Sequence, residues 1–312
     1  MIFNKEFQKV ISNVGWVDKG NLWVYDCATD TQSLYYLCNA DYLTIKPGIG
    51  PYFSVSHVFG SKITISVHSF GEPNKILCSA TFNNFQITQE GELSHFDYVP
   101  KYYVAGFSIN SEFEFNLVTL EEGRITIDND KIRWYKDGDF DFMYQGLISV
   151  TEYEGKLIFS VQRSGMLFIY DLKKDTLTNT VQLAGRSGNP EIIVTEEGII
   201  ASDYDTVLLL DGSGWKTIRT KLLQQSAERT AQFIGQISRG SNDNECLYTI
   251  ARPFSGDIVA INNNFNVRRR CKTGRQPLEA TLTNDHNLIA RDWQTGTLLK
   301  GVMKRKLFGK FL

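Results

Sequence analysis

Three carboxylates stand two residues apart in Lys136-Asp137-Gly138-Asp139-Phe140-Asp141-Phe142. Alternating acids of this kind ligate calcium when a glycine at the sixth position turns the loop and a later carboxylate completes the shell. Counted from Asp137, that position holds Phe142, and Met143-Tyr144-Gln145 follow. The same residues read as a hairpin, because Asp-Gly is a pair that tight turns prefer. Period two then puts Phe140 and Phe142 on one face and Asp139 and Asp141 on the other. A strand marker is therefore expected here, and no metal.

Histidine offers a second chemistry. His57 and His68 lie in or beside adjacent predicted strands, with Ser56, Ser66 and Ser69 nearby. A facing pair would suit acid-base work or metal binding, while the plain alternative is a ring satisfied by hydrogen bonds within a sheet. His95 and His286 fall at loop edges.

Arginine is the third chemistry, recurring beside turn residues: Arg163 in "QRSG", Arg186 in "GRSGNP", Arg229 in "AERTA", Arg252 in "ARPFSG" and Arg275 in "TGRQP". Forked, permanently charged guanidinium groups suit carboxylates, phosphates or an acidic protein surface. Tyr42, Ile45, Ile49, Pro51 and Phe254 are assigned to the same class of loops, as are the acids Glu191, Asp203 and Asp205. Aromatics and aliphatics among arginines have the composition of a protein-binding surface.

No nucleophile elbow, phosphate-binding glycine loop, His-Glu-x-x-His or cysteine-rich zinc pattern occurs, so no cofactor is expected. The 312 residues hold 42% apolar side chains, and 33 basic against 35 acidic residues leave a net charge of -2, which excludes a globally basic nucleic-acid binder. Cys27, Cys38, Cys78, Cys246 and Cys271 form no Cys-x-x-Cys pair and are expected as free thiols. With no apolar run long enough to span a bilayer, no basic leader and no glycosylation sequon, a cytosolic chain without a membrane partner is expected. Arg268-Arg269-Arg270 and Lys304-Arg305-Lys306 with Lys310 are two basic clusters able to touch nucleic acid or anionic lipid. Their plainer reading is a charged strand edge that blocks unwanted pairing.

Short β-branched and aromatic runs punctuated by Gly, Asn and Asp dominate the chain, so an all-β fold is predicted. The clearest unit is "LISVTEY", "KLIFSVQ", "MLFIYD" and "LTNTVQL", four strands with tight connections. It recurs as "EIIVTEE", "GIIASD", "TVLLLD" and "WKTIRT", then as "AQFIGQIS", "CLYTIA", "DIVAI" and "NVRRRCK", then as "LEATLTN", "NLIARDW" and "TLLKGVM". Ile200 to Thr206 resembles Ile289 to Thr295, two repeats apart. Residues 52 to 89 supply another unit and residues 96 to 145 a longer one, in which "KIRWY" is a third strand and "FDFMY" an outer strand.

Four-stranded units of this length, with a Tyr-Asp-x-x-x-x-Thr hairpin at Tyr25-Asp26 and Tyr170-Asp171, resemble blades of the WD40-like and quinoprotein-like β-propeller superfamilies. The resemblance implies one propeller domain over residues 1–312, with seven blades of four antiparallel strands, or six if residues 1 to 50 do not close a blade. "MIFNKEF" and "KLFGKFL" are expected to close the ring by meeting in one blade. Loops alternate between two faces, so the arginine-bearing connections share one face. The reading is a non-enzymatic protein-binding propeller engaging a partner through Arg163, Arg186, Arg229, Arg252, Phe254 and Arg275. One version is an inhibitor or immunity-type protein that covers a partner's active site. The alternative is a propeller lyase or hydrolase holding a small anionic or sugar-like substrate at the channel mouth with Asp203, Arg163, Arg252 and either His57 or His68.

Overall fold

A computed structural model describes residues 1–13, 20–48, 50–60, 62–83, 86–91, 101–109, 112–121, 123–128, 135–136, 149–160, 165–183, 191–203, 206–223, 235–239, 247–283, 287–307 and 310–311. These residues form seven antiparallel sheets, the blades of a propeller. Blade 1 is built from Ile2–Asn4, Lys9–Ser12, Asn21–Asp26 and Thr31–Tyr36, and blade 4 from Ser149–Tyr153, Lys156–Ser160, Met166–Asp171 and Thr176–Gln182. Blade 5 holds Ile192–Thr195, Gly198–Asp203, Thr206–Leu210 and Thr217–Leu222. Blade 6 begins with Ile237–Arg239, Tyr248–Arg252, Asp257–Ile261 and Val267–Lys272, and blade 7 consists of Pro277–Leu282, Asn287–Asp292 and Leu298–Val302. Ile200 and Ile289 both fall in second strands, two blades apart, as the sequence similarity predicts.

The blades are held by seven apolar clusters, each seated between consecutive blades. Ile158, Leu167 and Ile169 of blade 4 meet Ile199, Ala201, Leu208 and Leu210 of blade 5, for example. Middle strands such as Met166–Asp171 are buried on both faces because each blade is packed between two others. Every side chain of this kind contributes about 1.5–3 kcal/mol on burial.

Ring closure differs in detail from the sequence expectation. Met1, Val10 and Tyr25 pack against Ile289, with Phe3, Cys27 and Leu298 beside them, so the first and last blades close the ring by packing and share no strand among the described residues. The chain after Val302 instead crosses to the outer edge of blade 6, where Lys304–Leu307 pairs with Val267–Lys272 and Lys310–Phe311 follows. Blade 2 carries five strands, because Tyr42–Pro47 precedes Tyr52–Phe59, Lys62–Ser69, Ile76–Asn83 and Gln86–Glu90. In blade 3, Tyr102–Ile109 pairs with Glu112–Glu121, whose other edge takes Arg124–Asp128 and then Tyr135–Lys136. Of "KDGDFDF" only Lys136 belongs to the described residues.

The Tyr-Asp hairpins have a common physical basis. Asp26 Oδ1 accepts from the amides of Ala28 and Thr29, and Asp171 Oδ1 from those of Lys173 and Lys174. The residue that turns the chain back is left-handed, at Asp30 (φ 55°) and Asp175 (φ 57°), and receives the Tyr25 or Tyr170 hydroxyl on its carboxylate. A small acid tolerates that backbone better than a branched residue does. The outer strand then carries a bulge. It makes Thr178, Ile218 and Arg268 the extra residues of blades 4, 5 and 6, and so interrupts the two-residue alternation of these strands.

Candidate partner-binding face

In each blade the second-to-third and fourth-to-first connections open on one face of the ring. On blades 6 and 7 three of these connections meet. Thr273 donates from its amide to Gly256 O (2.9 Å), and Trp293 from its amide to Gln276 O (2.7 Å). Gln276 N in turn donates to Asp292 Oδ2 (3.0 Å), and Asp292 Oδ1 accepts from the amides of Gln294 and Thr295. Burial alone would raise the Asp292 carboxyl, but these donors, with the Thr295 hydroxyl, hold it below the ordinary carboxylate value. One carboxylate thus pins two of the connections, and the Thr273–Gly256 backbone bond ties the third to them in one platform.

On that platform Phe254 stands 45% exposed and meets Trp293 edge to face, ring centroids 5.7 Å apart at 76°. Arg275 is exposed on the adjoining turn, whose backbone reaches Gly256 and which is closed by Thr273, whose hydroxyl donates to Arg275 O (3.1 Å). An exposed aromatic held in place by a second ring, with an exposed arginine on the adjoining turn, is the make-up of an interface anchor. Sequence reasoning selected Phe254 and Arg275 and missed Trp293. The signal was its place in a second-to-third connection directly after the turn-capping Asp292.

Arg252, expected on this surface, lies beneath it. It is 3% exposed, its Nε and Nη2 donate to Asp257 Oδ1 and Oδ2 (2.8 and 2.7 Å), and Nη1 donates to Leu223 O (2.8 Å). Asp257 is fully buried and also receives Arg270. Arg252 ends the second strand and Asp257 starts the third, so the fork clamps the base of the hairpin that lifts Phe254. A buried guanidinium with both sides of its fork engaged is a positioning group, and this corrects its reading as a contact residue.

Arg163, Arg186 and Arg229 lie outside the described residues, as do Ile49, Asp205, His95 and His286 and the side chains of Tyr42 and Asp203. Ile45 is a core residue of the first strand of blade 2, packed with Leu43, Phe53 and Val55, so it is removed from the loop surface. Pro51 accepts the Phe70 amide (2.7 Å), and Glu191 faces Lys46 at 4.0 Å.

The histidines do not form a facing pair. His57 sits opposite Leu43 and Thr64, and His68 opposite Phe53. His68 is fully buried, stacked on Phe53 (5.3 Å, 17°), with Nδ1 donating to Pro73 O (3.0 Å) and Nε2 accepting from Ser66 Oγ (2.8 Å). Burial pulls its pKa down to about 4 against the opposing pull of the Pro73 carbonyl, and burial also lowers His57. Among the described residues no group of three or more His, Cys, Asp or Glu could hold a metal ion. Cys27, Cys38 and Cys78 are free thiols pushed up to about 11 by burial, which keeps them unreactive near neutrality.

No family model matches the chain, and no curated protein matches it. Solved structures do. The β-propeller domain of Myceliophteria thermophila Cps50 (Swd1) aligns with a TM-score of 0.59 at 12% identity, over 96% of this chain and 94% of that one. A chain of the Mitotic Checkpoint Complex aligns with a TM-score of 0.58 at 11% identity, over 97% and 85%. The computationally designed Ika8 protein aligns with a TM-score of 0.51 at 13% identity, over 96% and 94%. At such identities the likeness is one of architecture, and it agrees with the seven blades: the chain has the β-propeller fold.

Proposed function

We propose that this propeller is a protein-binding module and that it engages its partner through the face carrying Phe254, Trp293 and Arg275. The observation that carries the reading is the exposed Phe254 ring braced by Trp293, with exposed Arg275 on the adjoining turn. A partner surface with an apolar socket rimmed by carboxylates fits that combination. An enzyme whose active site has this character is one such partner, which is the inhibitor or immunity-type form of the proposal. The catalytic alternative has less to work with, since His68 and Arg252 both have internal structural partners. The likeness in fold to a chain of the Mitotic Checkpoint Complex, an assembly of proteins, supports a partner-binding role by analogy. Affinity capture from native lysate tests the reading, with wild-type protein run against Phe254→Ala and Arg275→Glu. A protein recovered by the wild type and lost by both variants is the expected outcome. Equal recovery by all three removes this face, and no recovery at all shifts weight to the enzyme.

A further inference from the structure

Blades 1, 2, 4, 5 and 6 each carry at least four strands side by side, and blade 7 carries three. Leu298–Val302, its third strand, pairs on one side with Asn287–Asp292, and no described strand pairs with its other side. Third strands elsewhere, such as Met166–Asp171 and Asp257–Ile261, have an outer strand beyond them and are buried. In blade 7, by contrast, Lys300 is exposed and Val302 is 62% exposed. The chain's own ends are engaged elsewhere. Ile2–Asn4 is the first strand of blade 1, and Lys304–Leu307 with Lys310–Phe311 extends blade 6.

Strand register shows that blade 1 presents apolar side chains to this open position. The Arg291 guanidinium lies over Trp23 (4.2 Å), and Tyr25 packs with Ile289 beneath Lys300 Nζ (4.7 Å), so both rings face blade 7. Leu34 is the cross-strand partner of Trp23, as Leu298 is of Arg291. Cross-strand partners share a face, so Leu34 stands one strand further out than Trp23, toward the space that a fourth strand of blade 7 would fill. Tyr36 is on the same face by period two and lies opposite Asn21, at the end of the blade where second-to-third connections such as that of Trp293 open. Leu34 is 48% exposed and Tyr36 64%, whereas Tyr35 and Leu37, on the other face, pack into the cluster between blades 1 and 2.

An open strand edge is a row of amide and carbonyl groups spaced for an extended chain. A polypeptide strand matches that row, and apolar side chains at its alternate positions cover Leu34 and Tyr36. A second copy of the chain cannot bring its own Leu298–Val302 edge to this one, because the edge is recessed: blade 1 reaches one strand further out than blade 7, and blade 6 three further. The position therefore takes a single strand. It is also continuous with the partner-binding face, since Trp293, the brace of Phe254, begins the connection that leads through Thr297 directly into Leu298.

We propose that a partner protein completes blade 7, laying an extended segment with apolar side chains at alternate positions along Leu298–Val302 as a fourth strand. The proposal rests on the protein-binding reading and adds a second contact to it. None of its contacts involves Phe254, so the two contacts fail separately.

The probe is a phage-displayed library of random peptides, each of about twelve residues so as to exceed the roughly 16 Å of the edge, selected against the immobilised full chain. Enriched peptides should alternate apolar side chains with others. A synthetic copy should lose binding when one set of alternate amides is N-methylated and keep it when the other set is, because only one set faces the ladder. Leu34→Glu should weaken the peptide at least about tenfold, since a leucine contact is exchanged for a charge. Phe254→Ala, and Leu222→Glu on the exposed outer strand of blade 5, should leave it within about twofold. Circular dichroism verifies that all three variants are folded. No enriched peptide, indifference to methylation of either set, or full binding by Leu34→Glu overturns the proposal. So does loss of the peptide with Phe254→Ala alone, which would place it on the other contact. A dimer in sedimentation equilibrium that Leu34→Glu dissociates would give the position to a strand from a second copy and overturn the partner protein as its occupant.

Discussion

Taking the pH from 7 to 5 should remove about 2 kcal/mol of stability through His68 alone. Its ring is fully buried against Phe53, and the neutral tautomer is fixed by donation from Nδ1 to Pro73 O and acceptance from Ser66 at Nε2. Burial brings the folded pKa down to about 4, while a histidine in the unfolded chain titrates near 6.5. Below pH 6.5 the unfolded chain therefore takes up a proton that the folded site refuses, and acid favours unfolding. The loss starts as pH drops through 6.5, reaches about 2 kcal/mol at pH 5, and levels off below pH 4 at about 3 kcal/mol. Urea unfolding of the wild type and of His68→Asn at pH 7, 6 and 5 isolates the contribution, because carboxylates and His57 titrate in both proteins and cancel in the difference. The gap between the two should narrow by about 2 kcal/mol from pH 7 to pH 5. A gap that stays constant, or a His68 ring resonance titrating near 6.5, would refute the buried neutral imidazole.

Three further outcomes bear on the scaffold. Asp257→Asn leaves the Arg252 and Arg270 guanidinium groups beneath the platform without their carboxylate and should cost about 3 kcal/mol in urea unfolding, whereas exposed Arg275→Gln should stay within about 0.5 kcal/mol. Gly198→Ala places a Cβ 2.2 Å from Leu210 O at φ +141°, so the variant should fail to give a cooperative thermal transition or should melt far below the wild type. Tyr170→Phe removes the hydroxyl that holds Asp175 and should lower stability by about 1 kcal/mol, read by the same unfolding assay, with no change in the fold by circular dichroism.

The repeat was legible because local chemistry writes it. "MLFIYD", "GIIASD" and "DIVAI" coincide with observed strands to the residue, since apolar runs closed by Asp or Gly mark both the buried strand and its turn. What stayed hidden depends on contacts between residues far apart in sequence, or on small backbone irregularities. The bulge at Thr178, Ile218 and Arg268 leaves no pattern beyond an alternation that fails by one. The crossing of Lys304–Leu307 to blade 6 joins two basic segments that separately look like ordinary edges. Arg252 shows the limit most clearly: its flanking Pro253 and Phe254 read as a loop, but Asp257 at the far side of the turn draws the guanidinium inward. Phe254 and Arg275 were found by loop class, while the brace on Phe254 comes from Trp293 in the next blade, a contact no local window contains.

The central claim is that a partner docks on Phe254, and the dissociation constant of the captured partner measures it most directly. Phe254→Ala should weaken binding about 30-fold, a loss of about 2 kcal/mol of the size that central aromatic anchors carry, while Lys173→Glu on a third-to-fourth connection, which opens on the opposite face, should leave it within about twofold. A Phe254→Ala protein that is folded and binds as tightly as the wild type would contradict the account.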